Sequence, residues 1–111
     1  MFKKGRQINE ILGIAVDSTS LSSVLEICEG WLNNRGKFYL VTPNPEMIVA
    51  AQNDFKFKKA LNNADLAIPD GWGLRWANPE IGQRVSGREV MLGLIDKSRS
   101  KDIKILLIGG K

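Results

Sequence analysis

The chain contains no histidine, and that absence excludes more chemistry than any single motif could establish. Every mechanism that needs an imidazole base is closed to it, as is every zinc site built on a histidine ligand. The one cysteine, Cys28, excludes a disulfide framework and a CxxC redox or metal pair. Acid–base work is left to a carboxylate, a lysine or the single tyrosine, Tyr39. No stretch approaches the roughly 18 to 20 consecutive apolar residues of a membrane-spanning helix. The basic start, Met1 to Arg6, resembles the head of a secretory signal, but the polar Gln7-Ile8-Asn9-Glu10 interrupts any apolar core behind it. With the lone cysteine, this pattern predicts a cytoplasmic protein.

Other signatures are missing too. There is no GxGxxG to cradle a dinucleotide, and Gly109-Gly110-Lys111 lacks the spacing of a phosphate-binding P-loop. No Asp-x-Asp pair is present to hold a metal against a nucleotide diphosphate. Sixteen Lys and Arg against twelve Asp and Glu leave a net charge of +4. A surplus that small does not mark a nucleic-acid binder, which usually shows clustered basic residues with interleaved aromatics, so a nucleic-acid partner is not expected.

What remains is an ordinary globular composition, 43% hydrophobic and 25% charged over 111 residues, enough for a single domain spanning 1–111. Two patterns alternate along it. Ile11 to Val16 reads as a buried strand ending at Asp17. Ser18-Thr19-Ser20 offers N-caps for a helix over about 20 to 34, with Leu21, Val24, Leu25, Cys28, Trp31 and Leu32 on one face. Gly36 suits a left-handed C-terminal turn. Phe38 to Thr42 reads as a second strand, and Pro43-Asn44-Pro45 makes Asn44 the natural N-cap of a helix carrying Met47, Ile48, Ala50 and Ala51. Asp54 caps a further helical turn with Phe57, Ala60 and Leu61 inward.

A third strand is expected at Leu66 to Ile68 and a short helix over Leu74 to Ala77. A helix opened by the capping box Ser86-Gly87-Arg88-Glu89 follows, bearing Val90, Met91, Leu94 and Ile95, and then a last strand over Ile103 to Ile108. The expected fold class is α/β, Rossmann-like, with a mostly parallel sheet covered by helices on both faces. A parallel strand ending in Gly109-Gly110 ordinarily turns into another helix. The reading therefore expects a domain truncated at its C-terminus, the N-terminal part of a longer one.

Ligands of such sheets gather at the carboxyl ends of the strands. Thr42-Pro43-Asn44-Pro45-Glu46 sets a hydroxyl, an amide and a carboxylate around a helix N-terminus, where unpaired N–H groups favour an anion. Plain capping by Asn44 explains the same residues. In Pro69-Asp70-Gly71-Trp72-Gly73 the carboxylate of Asp70 follows directly on a buried strand, as a general base at a cleft mouth would. A simple Pro-Asp-Gly turn is the alternative. Trp72 suits either stacking on a sugar or base, or core packing. Arg84-Val85-Ser86-Gly87-Arg88-Glu89 brings two guanidinium groups to a helix start, fit for phosphate or merely solvated. Lys56, Lys58 and Lys59 read as a solvated helix face, and Cys28 as core.

These three strings, with Ala64 to Ile68 preceding Pro69, resemble the N-acetylmannosaminyltransferase family, glycosyltransferase family 26, over about Ile11 to Gly110. Its members act in teichoic acid linkage-unit, enterobacterial common antigen and capsule or exopolysaccharide biosynthesis. The resemblance implies a metal-independent, cofactor-free, inverting transfer of an N-acetylmannosamine-type sugar from a UDP-sugar. The acceptor it implies is N-acetylglucosamine on undecaprenyl diphosphate, at the inner face of the cytoplasmic membrane. On this resemblance Asp70 matches the catalytic base, and Thr42 and Asn44 match residues that contact the donor sugar or diphosphate. Gly71, Arg84, Ser86 and Gly87 fall in the motifs that bind substrate, with Arg84 placed on a phosphate by inference. Family members are substantially longer. The alternative expectation is therefore a truncated, non-catalytic UDP-sugar-binding module, or a structural α/β domain whose last strand pairs with another chain; a homo-oligomer is compatible with each.

Overall fold

A computed structural model of the chain describes residues 6–70, 73–77, 79 and 85–109. In chain order the elements are β1 (Ile8–Ile11), β2 (Ile14–Asp17), α1 (Leu21–Leu32), β3 (Leu40–Val41), α2 (Pro45–Gln52), α3 (Phe55–Asn62), β4 (Leu66–Ala67), α4 (Gly73–Ala77) and α5 (Gly87–Ser98). Local capping chemistry starts four of the helices. Ser20, Asn44, Asp54 and Ser86 each sit in extended backbone and accept a hydrogen bond from the N–H three residues on, and Pro45 takes the first position of α2. At Ser86 the capping box is modified: the hydroxyl accepts from the Glu89 N–H and itself donates to Glu89 Oε1, each over 3.1 Å.

The single strand expected over Ile11 to Val16 is instead the turn of an antiparallel hairpin, in which Ile8 pairs with Asp17 and Ile11 with Ile14. Leu12 and Gly13 both adopt left-handed backbone, φ 47° and 80°, as a two-residue hairpin turn demands. Leucine is a poor residue for that conformation, and the turn is held from outside. Gln52 Nε2 donates to the Leu12 carbonyl (3.0 Å) and Asn62 Nδ2 to that of Gly13 (2.8 Å), while Asn62 Oδ1 accepts the Ala15 N–H (2.9 Å).

β3 and β4 pair in parallel, Leu40 with Leu66 and Val41 with Ala67. Their ladder runs past the strands proper: the Ile68 N–H donates to the Val41 carbonyl (2.8 Å) and the Asp70 N–H to that of Pro43 (2.9 Å). β2 lies on the other flank of β4 and is joined to it through a side chain. Asp17 Oδ2 accepts the Ala67 N–H at 2.7 Å, and the Arg6 guanidinium closes on both carboxylate oxygens, its Nε 2.6 Å from Oδ1. Both side chains of this pair are largely withdrawn from water, 12% and 3% exposed.

Adjacent residues of a strand point to opposite faces, and β3 shows where the two cores lie. Val41 packs with Ile11, Ile14, Val16, Ile48, Ala51, Leu61 and Leu74, between the hairpin and α2, α3 and α4. Leu40 packs instead with Val24, Cys28, Leu66, Ile68, Val85 and Val90, against α1 and α5. The class is therefore α/β with helices on both faces, as expected. The mostly parallel sheet is not seen: among the described residues there is one antiparallel pair and one parallel pair.

Other expectations are corrected. Gly36 does not take up positive φ; among the described residues Leu12, Gly13, Asp102 and Gly109 do. Ala60, expected inward, is exposed, and so are Ala50 of α2 and Met91 of α5. The segment expected as a strand over Ile103 to Ile108 forms none, and Leu106, Leu107 and Ile108 are 74–89% exposed. β-propensity describes a side chain's fit to a pleated, partnered surface, and without a neighbouring strand this segment has nothing to fit.

Candidate functional site

The parallel course of β3 and β4 brings their carboxyl ends to one edge, and three of the sequence strings meet there. The Asp70 N–H bond to Pro43 ties the second string to the first. A Cβ built on Gly73, at the start of α4, would lie 2.5 Å from Pro45 Cγ, so α4 begins in contact with the start of α2. A Cβ on Gly87 would lie 2.9 Å from Thr42 Cγ2, which joins the third string to the first and leaves no room for a side chain there unless Thr42 shifts. Thr42, Asn44, Asp70, Ser86 and Gly87 thus surround one strand-end region. Gly71, Trp72 and Arg84 lie outside the described residues.

The polar atoms in this region are unequally engaged. Asn44 Oδ1 is used by the cap, accepting the Met47 N–H at 2.8 Å, whereas its Nδ2 donors have no partner among the described residues. Asn44 thus caps α2 and keeps amide donors without a partner among the described residues, so the two readings of this residue are compatible. The N-termini of α2 and α5 both open here, and their positive ends favour an anion. Glu46 and Glu89 in the first turns offset part of that field.

The contrast between two aspartates decides which carboxylate is available. Asp17 is buried and saturated by Arg6 and the Ala67 N–H. Asp70 is exposed, and its carboxylate makes no hydrogen bond or ion pair among the described residues. A carboxylate whose backbone is pinned and whose oxygens are free can accept a proton from an incoming hydroxyl. In the sequence Asp17 reads only as a strand terminus. Its partner atoms are on Arg6 and Ala67, eleven and fifty residues away, and no local signal marks them.

Elsewhere, burial pushes the Cys28 thiol above its ordinary range, consistent with a core role. Among the described residues no cluster of three or more His, Cys, Asp or Glu side chains could hold a metal ion. No described helix is long and apolar enough to cross a membrane. An apolar cavity of about 380 Å³ lies apart from the strand ends, between α1, α5, Phe38–Leu40 and residues 103–107. Trp31 and Phe38 line it as a stacked pair with ring centroids 5.2 Å apart.

The strand-end region of this α/β domain thus combines an exposed carboxylate with the N-termini of two helices. The sequence model of the glycosyl transferase WecG/TagA/CpsF family matches residues 9–111, and the chain belongs to that family. It is 28% identical over 108 residues to a protein of Bacillus spizizenii named N-acetylglucosaminyldiphosphoundecaprenol N-acetyl-beta-D-mannosaminyltransferase, covering 94% of this chain and 41% of that one. A Staphylococcus aureus protein of the same name is 26% identical over 106 residues, covering 90% of this chain and 42% of its own. The chain therefore spans about two fifths of the length of these curated relatives.

Proposed function

We propose that this chain carries the general-base side of a glycosyltransferase site that moves an N-acetylmannosamine-type sugar from a UDP-sugar to N-acetylglucosamine on a polyprenyl diphosphate. The observation that carries the reading is the unengaged carboxylate of Asp70, fixed by its backbone bond to Pro43 beside Thr42 and Asn44. The family and the relatives' names supply the substrate class.

In this mechanism the Asp70 carboxylate takes the proton of the acceptor hydroxyl. The oxygen attacks the anomeric carbon on the face opposite the diphosphate, and the bond between that carbon and the diphosphate oxygen breaks. UDP leaves with the electron pair, and a single displacement inverts the anomeric centre. The helix N-termini at Asn44 and Ser86, with the free Asn44 Nδ2, bind the diphosphate and stabilise its growing charge. Thr42 offers a hydroxyl to the donor, and Gly87 keeps α5 close enough for its N-terminal amides to take part. Arg84 would add a bidentate phosphate contact, and Gly71 the freedom of the turn after the base.

The test is Asp70→Asn in the full chain, with transfer from UDP-N-acetylmannosamine to a lipid-linked N-acetylglucosamine acceptor as the readout. Loss of transfer by about a hundredfold or more, with UDP affinity and circular dichroism retained, is the expected result. Undiminished transfer would refute the assignment. The rival reading, a module that binds UDP-sugar without turning it over, predicts calorimetric UDP binding with no transfer by the unsubstituted chain.

A further inference from the structure

The apolar cavity apart from the strand ends takes no part in the mechanism above, and an open sheet edge borders it. Tyr39, Val41 and Pro43 turn their carbonyls toward β4, accepting from the N–H groups of Asp65, Ile68 and Asp70. Peptide groups alternate in direction along a strand, so those of Phe38, Leu40 and Thr42 face the other way. On that side β3 has no neighbouring strand among the described residues. Phe38 and Leu40 line the cavity, with Trp31 of α1 and Met91 of α5 beside them.

Residues 103–107 line the same cavity. Their backbone makes no hydrogen bond among the described residues, and the side chains of Ile105, Leu106, Leu107 and Ile108 are 50–89% exposed. Extended, this run is apolar on both faces apart from Lys104, the pattern of a strand covered on both sides. An unpaired edge and an unpaired run of β-prone residues therefore share one cavity, each lacking what the other offers. Lys104 is the one charged residue in the lining, so two copies can meet there without opposing rows of like charge.

The connection behind the run bears on which copy fills the edge. α5 ends at Ser98, and Lys101 is drawn back to α1 by its 2.5 Å bond to Glu29. The next residue, Asp102, is in left-handed backbone at φ 43°. So short a connection, with a non-glycine residue at positive φ, leaves the run beside its own β3 without a bond to it, and short strained hinges favour exchange between copies. A pair that buries the four exposed side chains from each copy and covers both cavities removes surface on the order of the 800 Å² per partner found in stable dimers.

We propose that two copies of this chain pair by exchange, residues 103–108 of each adding as a strand to the open edge of β3 in the other and filling the cavity there. The inference goes beyond the proposed function and does not rest on it, since the cavity lies apart from the strand ends.

The test is sedimentation of the freshly purified full chain over a range of concentrations. A monomer–dimer equilibrium is the expected result, because a reciprocal exchange closes at two copies. Ile105→Pro/Leu107→Lys removes a strand donor and sets a charge against apolar walls. It should weaken the pair about tenfold or more, with the helical circular dichroism unchanged. Trp76→Ser, at an exposed apolar position elsewhere, should pair as the parent does. Mixing a Lys104→Cys/Cys28→Ala chain that carries a nitroxide with isotope-labelled parent chain locates the contact: the amides of residues 38–42 in the labelled copy should broaden. A monomer at every concentration, or an open series of larger species, would overturn the proposal. So would a pair indifferent to the Ile105 and Leu107 substitutions, a pair lost with Trp76→Ser, or broadening that spares residues 38–42.

Discussion

The amide of Asp70 donates to the carbonyl of Pro43 over 2.9 Å, one rung beyond the bond from Ile68 to Val41 in the same parallel ladder. The residue is therefore held by its backbone while its side chain has no partner among the described residues, the combination that would preorganise a reacting group without consuming it. Amide exchange followed by NMR should find the Asp70 N–H protected to a degree comparable with Ile68, although its side chain is exposed. Exchange at the rate of an open loop would show that the rung is not kept in solution.

Asp17 and Asp70 should respond oppositely to the same chemical change. Asp17→Asn leaves the Arg6 guanidinium withdrawn from water with its countercharge removed, which costs about 3 kcal/mol for a buried pair broken on one side. Urea unfolding should record that loss, while the folded fraction keeps its affinity for UDP. Asp70→Asn should leave the urea midpoint within about 0.5 kcal/mol of the parent, as exposed substitutions do.

Gly87 is where packing and site meet. An alanine there would press its methyl to within 2.9 Å of Thr42 Cγ2, and the Gly87→Ala chain should lose roughly 1 to 2 kcal/mol through overpacking. Thr42→Ser removes the opposing methyl and keeps the hydroxyl. The double variant should recover most of the loss, a coupling that a double-mutant cycle measures directly. Additive losses would mean that the two positions do not touch.

Glu29 on α1 is gripped by two lysines near the end of α5, Lys101 at 2.5 Å and Lys97 at 3.0 Å. The bond from Lys101, with the bond from Lys97 and the charges of both, lowers its carboxyl to about 2. The sign follows from the direction: a carboxylate stabilised in the folded state contributes fully above its unfolded value and loses that contribution as pH falls through the folded one. The clamp should therefore persist at pH 3, where an ordinary glutamate is mostly protonated, and open near pH 2. Carbon-detected NMR titration of Glu29 checks this, and Lys101→Met should move the midpoint upward.

Helix starts were the most legible part of the fold because capping is local chemistry. Ser20, Asn44, Asp54 and Ser86 act within three residues of themselves, so a short window of sequence contains both partners. The hairpin was not legible for the converse reason. Its turn places Leu12 in a conformation leucine disfavours, and the groups that hold it there come from Gln52 and Asn62, forty and forty-nine residues away. Much the same division holds at the strand ends. The motifs around Asn44, Asp70 and Ser86 could be read one by one, but that they converge depends on the β3–β4 register, and the fate of Asp17 depends on Arg6 and Ala67. The segment from Ile103 had the composition of a strand and lacked only a neighbour.

That segment has a practical consequence. Aliphatic side chains in succession, exposed on backbone that belongs to no sheet, are what a growing fibril recruits. A net charge of +4 provides the opposing long-range repulsion between molecules, and its reach shrinks from about 30 Å in 0.01 M salt to about 8 Å near 0.15 M. Shelf life at high concentration should thus depend on ionic strength more than on temperature, with turbidity appearing first in the saltiest buffer.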